Sequence, residues 1–432
     1  MIRWNEETEQ TQQALLTRPA VIASKAVETS VLQIIEEVKA QGDQALLKYA
    51  ELFDKRSNPR LVVPLQEIND SAEQLTPELK SAIEQAYSNI KTFHQAQLPQ
   101  DMKIATAPGV ECELKYQAID AIGLYVPGGS APLPSSVLMQ GVCAQLSGAR
   151  TVVLATPVNG DSLISPAILY AAKLCGITTI IESGGAGAIA AMAIGTPSVP
   201  KVNKIFGPGN SYVTMAKQLL SQTQTGFAID MPAGPSEVLI IADERANPEF
   251  IAADLLSQAE HGADSQVILL SNSAQIITQT QQALNKQLKA LSRTEIAQRA
   301  MENSALIQVD SLQQAFEISA QYGPEHLILQ IADATPYLPM VQNAGSVFVG
   351  DYTPESAGDY ASGTNHVLPT YGYSKVYSSL NLLDFFRTYT VQSITPQGLK
   401  SLSSAILPLA QAEGLDAHAN AVSVRLEAMK ND

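Results

Sequence analysis

Histidine is scarce in this 432-residue chain, and the positions of its histidines indicate where chemistry could occur. The chain has five, and four of them lie after residue 260, each beside a carboxylate or an amide: His261, His326, His366 and His418. Imidazole transfers protons near neutral pH and is a common metal ligand. We therefore expect a functional site in the C-terminal two-fifths of the chain. His94, in a polar helix, is expected to be a surface residue.

Two of these histidines, together with a glutamine and an aspartate, offer the donor atoms of a transition-metal site. Gln258 and His261 are three residues apart at the end of a predicted helix, so both side chains lie on one face. With Asp359 and His418 they would offer one amide oxygen, one carboxylate and two imidazoles, a set compatible with Zn²⁺. Spacing alone does not show that the four converge. A Gln–His pair on a helix, or an aspartate in a turn, often binds nothing.

Glu325 and His326 are the candidates for acid–base chemistry. They follow Gly323-Pro324 and precede an apolar strand. Adjacent residues on an extended strand point to opposite faces, but at a turn both can line one cleft. A histidine beside a carboxylate suits general acid–base catalysis. The alternative is a solvated pair that ends a turn.

Four glycine-bearing loops in the middle of the chain could hold a cofactor. They span residues 123–130, 184–187, 207–210 and 233–236. In the second loop Gly185, Gly187 and Ala190 match the G-x-G-x-x-A pattern of dinucleotide-binding proteins, between a predicted strand and helix. Residues 198–206 contain no acidic side chain to bind a ribose, so tight turns are an equal alternative for this loop. The four loops together favour a bound phosphate or nucleotide.

The hydrophobic pattern predicts the elements that must position these residues. From residue 110, short apolar runs alternate with helical patterns, which indicates parallel sheets covered on both faces. We predict an α/β fold with two incomplete Rossmann-like parallel-sheet domains, an N-terminal helical arm and a helical C-terminal tail. The predicted boundaries are 1–24 for the arm, 25–118 with 236–378 for a discontinuous α/β domain, 119–235 for an inserted α/β domain, and 379–432 for the tail. No strand is expected in the tail, which is too short to bury a core alone.

Composition excludes several classes of partner. Charged residues make up 16 % of the chain, and its net charge is −15. Binding to nucleic acid needs basic patches that displace counterions, and no such cluster is present. No apolar run approaches the roughly 18 residues of a membrane span, and the N-terminus lacks the pattern of a secretory signal. Cys112, Cys143 and Cys175 form no CxxC pair, so we expect free thiols and a cytoplasmic protein.

Long motifs in series resemble the histidinol dehydrogenase family. They are GLYVPGGSAPL at 123–133, KIFGPGN at 204–210, IDMPAGPSEVLIIAD at 229–243, DLLSQAEH at 254–261, YGPEHLIL at 322–329, NAGSVFVGDYTPESAGDYASGTNH at 343–366 and EGLDAHANAVSVR at 413–425. The motifs occur in the family's order from about residue 110 to the end, whereas the first hundred residues match more loosely. Their length and order are far more specific than any single pair of residues.

The resemblance implies an enzyme that oxidises L-histidinol through L-histidinal to L-histidine in two NAD⁺-dependent steps, the last of histidine biosynthesis. It implies one zinc ion per subunit, held by Gln258, His261, Asp359 and His418. The catalytic positions are those of Glu325 and His326. The substrate-binding positions are those of the zinc ligands together with Ser236, His326, His366 and Glu413. Cofactor contacts fall on Tyr125, Asn210 and Gly187.

This chain departs from the family at Gly187, where a glutamine usually contacts the cofactor, and its loop at 157–162 is a few residues longer. Backbone or water could replace the missing amide. The substitution also creates the G-x-G-x-x-A match, which is therefore not expected to bind phosphate. In the implied mechanism His326, neutral at pH 7, removes the alcohol proton and Glu325 activates water for the second oxidation. Zinc orients the substrate, and no covalent thiohemiacetal is expected because no cysteine lies in a matching motif.

The family forms a homodimer in which the tail crosses to complete the partner's site. We expect the same domain swap here, because Glu413 and His418 lie in the tail. Two other functions would use the same residues: a zinc hydrolase with Glu325 as its base, and a non-catalytic protein that binds a metabolite without turnover. The cofactor-type loops at 123–130 and 207–210 favour the dehydrogenase.

Overall fold

The structure is a computed structural model that describes residues 2–19, 25–128, 132–231 and 234–430. The chain forms two units. The larger unit comprises residues 1–97 and 119–384, and the smaller unit comprises residues 98–118 and 385–432. No helix in the described ranges is long and apolar enough to cross a lipid bilayer.

Strands and helices alternate along most of the chain. The strands are β1 (Ile2–Arg3), β2 (Met102–Ala107), β3 (Val110–Ala118), β4 (Ala121–Tyr125), β5 (Thr151–Thr156), β6 (Thr179–Glu182), β7 (Lys204–Phe206), β8 (Ala228–Ile229), β9 (Glu237–Ala242), β10 (Gln266–Ser271), β11 (Ala305–Gln308), β12 (His326–Gln330), β13 (Ser346–Val349) and β14 (Phe386–Ile394). The helices are α1 (Glu9–Leu15), α2 (Lys25–Gln41), α3 (Asp43–Leu52), α4 (Leu65–Asp70), α5 (Pro77–Gln95), α6 (Pro134–Ser147), α7 (Pro166–Leu174), α8 (Gly185–Ile194), α9 (Ser211–Thr223), α10 (Pro248–Ala259), α11 (Ala274–Gln287), α12 (Thr294–Glu302), α13 (Leu312–Tyr322), α14 (Glu355–Tyr360), α15 (Pro396–Ala412) and α16 (Asp416–Ala428). Short 3-10 helices occupy Trp4–Glu6, Ser71–Gln74, Leu288–Ala290, Thr335–Met340, Tyr373–Lys375 and Leu382–Phe385.

The first sheet of the larger unit has six parallel strands in the order β1-β11-β10-β9-β12-β13. Every residue of β9 and β10 is buried, as expected for central strands with helices on both faces. Successive side chains of β9 point to opposite faces. Val238 and Ile240 pack with α10, α11 and α12, whereas Leu239 and Ile241 pack with α13 and the N-terminal arm. One apolar run therefore stabilises a core on each side of the sheet.

The second sheet of the larger unit has five parallel strands in the order β6-β5-β4-β7-β8. Its main core contains the alanine-rich helix α8 together with α9. Helices α2 and α3, predicted within the discontinuous domain, pack on α8 and α9, because Val31, Ile35 and Leu46 form an apolar face that covers them. Two separate parallel sheets flanked by helices confirm the predicted α/β fold class.

The smaller unit contains a three-stranded antiparallel sheet in the order β14-β3-β2, and α15 and α16 pack against each other. Strand β14 runs along β3 from Phe386 opposite Ala118 to Ile394 opposite Val110. The prediction of a tail without strands is therefore wrong. Strand β14 is mostly exposed and its partner is distant in sequence, so no buried apolar run marked it.

Gly207, directly after β7, allows a close backbone approach that can be tested. Its φ is +115°, and a methyl group there would meet the carbonyl oxygen of Tyr125 and lie 2.8 Å from Oε1 of Gln140. Gly226 has a φ of +75° but open space around it. We expect Gly207→Ala to lower the free energy of unfolding by about 3 kcal/mol, through strain and overlap, and Gly226→Ala by about 1 kcal/mol, through strain alone. Urea denaturation followed by circular dichroism measures both, and equal losses would contradict the steric argument.

Candidate functional site

Most of the predicted site residues of the larger unit surround one cavity of about 260 Å³. The carboxyl ends of β4 and β7 in the second sheet contribute Pro127 and Gly207, and the amino ends of β9 and β12 in the first sheet contribute Ser236 and Glu325. The strand order of the second sheet reverses between β4 and β7. In open α/β sheets the crevice beyond the carboxyl ends at such a point binds ligands.

His326 is the first residue of β12, and only 4 % of its surface is exposed. Its Nδ1 lies 3.0 Å from the carbonyl oxygen of Glu237 and 2.8 Å from the side-chain nitrogen of Gln258. Its Nε2 is buried without a hydrogen bond and lies 3.6 Å from Oδ1 of Asp359. One ring nitrogen is therefore held by the protein, and the other is available to a ligand.

Glu325 is buried beside His326 in the turn that precedes β12. Its Oε2 accepts a hydrogen bond from the backbone N–H of Glu237 at 2.8 Å and lies 3.6 Å from Nδ1 of His326. Burial raises the pKa of Glu325 above its ordinary value. Burial lowers the pKa of His326, but the carboxylates of Glu355 and Glu325 outweigh it and hold that pKa well above the ordinary value. The side chains alone thus favour a charged ring at pH 7, where the sequence predicts a neutral one.

Three side chains beside His326 could hold a metal ion. Ligand atoms of His261, Glu355 and Asp359 lie within 4.8 Å of one another. Oε2 of Glu355 is buried without a hydrogen bond, which costs free energy unless a ligand binds it. Burial raises the pKa of Asp359, but the interaction with the ring of His326 lowers this pKa by a larger amount. The net pKa is therefore below the ordinary value, and the group is charged.

Gln258 lies one turn before His261, and both line the cavity. Its amide nitrogen donates to the carbonyl oxygen of Glu237 at 3.2 Å, so its Oε1 is the atom that could bind a cation. The structure thus brings together three of the four predicted metal ligands, with Asp359 as the third. These mixed nitrogen and oxygen donors fit a divalent transition metal such as zinc.

Glu355 is absent from the predicted site, yet only 1 % of its surface is exposed and it belongs to the same cluster. Burial raises its pKa to about 8. A signal for it was present in the sequence. Glu355 and Asp359 are four residues apart, and helix α14 puts both on one face. The turn-rich composition of this stretch concealed the helix.

Ser236 and His366 also line the cavity. Nδ1 of His366 donates to the backbone carbonyl oxygen of Asp359 at 2.9 Å, and its Nε2 lies 3.2 Å from Oγ of Ser136. Burial lowers the pKa of His366 below its ordinary value. These bonds fix the orientation of the ring at the cavity wall.

Glu413 and His418 belong to the smaller unit. Glu413 directly follows α15, His418 lies in the first turn of α16, and both side chains are exposed. Their roles in binding substrate and zinc stay predictions.

Two of the residues predicted to contact a cofactor lie at the carboxyl edge of the second sheet. Tyr125 ends β4 and is buried, and its hydroxyl oxygen accepts a hydrogen bond from the backbone N–H of Gly185 at 3.1 Å. Asn210 caps α9, since its Oδ1 accepts from the N–H groups of Tyr212 and Val213 at 3.1 Å. Each side chain therefore fixes the start of a helix at this edge.

Gly187, the third such residue, lies in the first turn of α8. A Cβ at this position would lie 3.4 Å from Tyr49 and 3.5 Å from Leu46, both in α3. The first atom of any side chain at position 187 would therefore contact α3. Because glycine has no side chain, only the backbone groups of Gly187 could contact a cofactor.

Space for a ligand continues along the carboxyl edge of the second sheet. A second cavity of about 280 Å³ starts at Pro127 and is bounded by the loop at 157–165. On the other side the turn at 207–210 is fixed by a buried ion pair between Lys217 and Asp230, and Asp230 also accepts from the N–H of Gly207 at 2.7 Å. The edge has room and a rigid wall for an elongated ligand.

His94 is not the predicted surface residue. It is fully buried, and its Nδ1 lies 2.9 Å from the carbonyl oxygen of Ile90. The side-chain nitrogen of Asn365 lies 3.4 Å from its Nε2. The prediction is wrong because the polar helix is covered on this face by a segment distant in sequence.

The chain is similar to members of one family over almost its whole length. The family model described as histidinol dehydrogenase matches residues 17–426. The histidinol dehydrogenase of Pseudoalteromonas translucida (strain TAC 125) is 76 % identical over 432 residues, which cover 100 % of both chains. That of Colwellia psychrerythraea (strain 34H / ATCC BAA-681) is 56 % identical over 427 residues, covering 99 % of this chain and 98 % of that protein. A crystal structure of histidinol dehydrogenase from Elizabethkingia anophelis matches with a TM-score of 0.95 and 46 % identity, over 100 % of this chain and 98 % of that one. The chain belongs to the histidinol dehydrogenase family.

Proposed function

We propose that this chain catalyses the NAD⁺-dependent oxidation of L-histidinol, through L-histidinal, to L-histidine, the last two steps of histidine biosynthesis. Its family supports the choice of substrate. The observation that carries the mechanism is the buried Glu325–His326 pair, which lines the same cavity as His261 and Asp359, two of the three side chains that could hold a metal ion. The three cysteines are free thiols, which favours a reducing, cytoplasmic location.

Zinc would be held by Gln258, His261 and Asp359, with His418 of the partner subunit as a fourth ligand. The nitrogen and oxygen atoms of this set are those that zinc accepts, and the unpartnered oxygen of Glu355 is a further donor. Bound there, zinc would orient the imidazole and amino groups of the substrate and add positive charge beside His326. Positive charge opposes the surrounding carboxylates and so lowers the pKa of His326 toward neutral pH.

His326 is the general base of both oxidations. For Nε2 to accept a proton, Nδ1 must carry the ring hydrogen, and the carbonyl oxygen of Glu237, 3.0 Å away, is the acceptor for it. In the first step Nε2 removes the hydroxyl proton of histidinol while hydride leaves the carbon that bears this hydroxyl, and the C–O bond becomes a carbonyl. NAD⁺, when bound, would supply the hydride acceptor.

Glu325 acts in the second oxidation. Because burial raises its pKa, its carboxylate is a stronger base than that of an exposed glutamate. It removes a proton from water as the water oxygen bonds to the aldehyde carbon, and the aldehyde oxygen takes the proton that His326 gained in the first step, which gives the hydrate. His326, neutral again, then takes one hydroxyl proton of the hydrate as the second hydride leaves. One water is consumed, and the carboxylic acid formed loses its remaining proton to solvent to give the carboxylate of histidine; Glu325 and His326 also return their protons to solvent.

The cavity and the space that continues from it along the second sheet suit the substrate and NAD⁺, respectively. NAD⁺ would lie along the carboxyl edge of the second sheet, beside Tyr125 and Asn210, with backbone contacts at Gly187. Ser236 and His366 line the cavity and would contact the substrate, with Glu413 of the partner subunit.

We further propose a homodimer whose sites are shared between subunits. Helices α15 and α16 and the turn between them carry exposed apolar side chains, including Leu409, Leu415 and Val424, and such surfaces are typical of protein contacts. Glu413 and His418 lie in the same segment. The tail of one subunit would then bring both to the site of its partner.

Replacing the two catalytic residues should separate the two oxidations. His326→Asn should lower kcat of both by about 10²–10⁴-fold, because both need proton removal. Glu325→Gln should lower histidinal oxidation by a similar factor and histidinol oxidation by less than about tenfold. NADH absorbance with each substrate measures these rates, with Glu317→Gln, an exposed carboxylate on α13, as the control. Equal losses of both steps in Glu325→Gln would remove the water-activating role, and no NADH from the wild type would favour a hydrolase or a binding protein.

Zinc binding can be measured independently of turnover. Titration calorimetry of Zn²⁺ into protein treated with a chelator should give an affinity about 10- to 100-fold weaker for Asp359→Asn, and a smaller loss for Glu355→Gln. Glu244→Gln, exposed after the carboxyl end of β9, should bind as the wild type does. Chelation should abolish activity, and added zinc should restore it. Unchanged affinity in Asp359→Asn would refute the site.

Shared sites predict complementation between two inactive variants. His326→Ala and His418→Ala homodimers should each be inactive. A mixed dimer would have one site with both native residues, since these come from different subunits. Random exchange should therefore restore about a quarter of wild-type activity per protomer. No recovery after exchange is confirmed by mass spectrometry would mean that each chain builds its own site.

A further inference from the structure

Glu237 connects both catalytic side chains through its backbone. Its N–H donates to Oε2 of Glu325 at 2.8 Å, and its carbonyl oxygen lies 3.0 Å from Nδ1 of His326. The same oxygen accepts from the side chain of Gln258 at 3.2 Å. A displacement of this one residue would move both catalytic groups and a metal-binding amide together.

The side chain of Glu237 is held by an arginine of the N-terminal arm. Its Oε1 and Oε2 accept from Nε and Nη2 of Arg18 at 2.5 and 2.8 Å, and Oε1 also accepts from the N–H of Tyr371 at 2.7 Å. Only 2 % of the Glu237 side chain and 12 % of the Arg18 side chain are exposed. Because a buried carboxylate is strongly destabilising without its cation, Arg18 determines where the carboxylate of Glu237 lies.

Arg18 also holds the turn that leads to Glu325. Its Nη2 donates to the carbonyl oxygens of Tyr322 and Gly323, both at 3.0 Å. Its guanidinium lies over the ring of Tyr322, 3.8 Å from the centroid. One guanidinium thus connects the start of β9 with the turn before β12, and the carboxylate that it holds also accepts from the N–H of Tyr371.

We propose that Arg18 is a positioning residue for the catalytic pair, which acts by fixing Glu237 and the turn at 322–324. The inference rests on the proposed function and adds the N-terminal arm to it. Arg18 is not among the described residues that line the cavity, so its effect reaches the substrate through the side chains that Glu237 and the turn hold there, which are Glu325, His326 and Gln258. Small displacements of catalytic groups lower the rate strongly. Lysine cannot replace this arginine, because an ammonium lacks the planar fork that bonds two carboxylate oxygens and two carbonyls together.

The test compares Arg18→Ala and Arg18→Lys with Arg3→Ala in the full-length enzyme. Arg3 lies in the same arm and is exposed, and it pairs with Glu6. We expect kcat of both oxidations to fall about 100-fold in Arg18→Ala and about tenfold in Arg18→Lys. The KM values for histidinol and NAD⁺ should stay within about twofold of wild type, and Arg3→Ala should behave as the wild type does.

Chemical rescue separates positioning from loss of folded protein. A surface cavity of about 350 Å³ lies beside Arg18, through which guanidinium ion can reach the vacated position. Guanidinium chloride well below denaturing concentration should raise kcat of Arg18→Ala several-fold and leave wild type and Arg3→Ala unchanged. Methylammonium chloride at the same concentration is the ionic control.

Two results would overturn the inference. One is wild-type kcat in Arg18→Lys, which remains decisive if Arg18→Ala does not fold. The other is an activity loss in Arg18→Ala that follows its fraction of folded protein and does not respond to guanidinium. Failure of the proposed function is a different result, since the wild type would then form no NADH from histidinol.

Discussion

Strand β12 pairs in parallel with β9, with His326 opposite Val238, and the arrangement of the site depends on this pairing. It places the amino ends of two central strands side by side, so that the backbone of Glu237 reaches both Glu325 and His326. Paired strands cannot shift without breaking their hydrogen-bond ladder. The two side chains are therefore oriented by the sheet, which holds them more rigidly than a loop would.

Negative charge is concentrated at this end of the first sheet, and each buried carboxylate requires compensation. Glu237 has Arg18. Glu325 and Asp359 face the single imidazole of His326, 3.6 Å from each, and Glu355 adds a third carboxyl group to the same cluster. Burial raises the pKa of Glu355 to about 8, so without a metal ion this group is mostly protonated at pH 7. A divalent cation bound at the cluster would favour the charged form of Glu355 and would balance the other carboxylates.

The two sheets contribute opposite edges to the cavity. The second sheet contributes its carboxyl edge, where Pro127 and Gly207 line the cavity, and this is the edge at which open α/β sheets bind ligands. The first sheet contributes its amino edge, where buried carboxyl groups and imidazoles suit a cation and a polar substrate. Under the proposed function, the hydride acceptor and the hydride donor would approach each other from different sheets.

The local sequence determined which side chains were available for chemistry and which hydrophobic periods mark the helices and strands. Gln258 and His261 could be placed on one face because three-residue spacing is a property of any helix, and alternating apolar runs predicted the parallel sheets for the same kind of reason. The roles of Glu355, Glu237 and Arg18 could not be predicted in this way. Burial and contacts between distant segments define them, as they define β14, whose partner strand lies elsewhere in the chain. Only the tertiary structure decided which carboxylates lose water and which cations they meet, because desolvation depends on what packs around a residue and not on its neighbours in sequence.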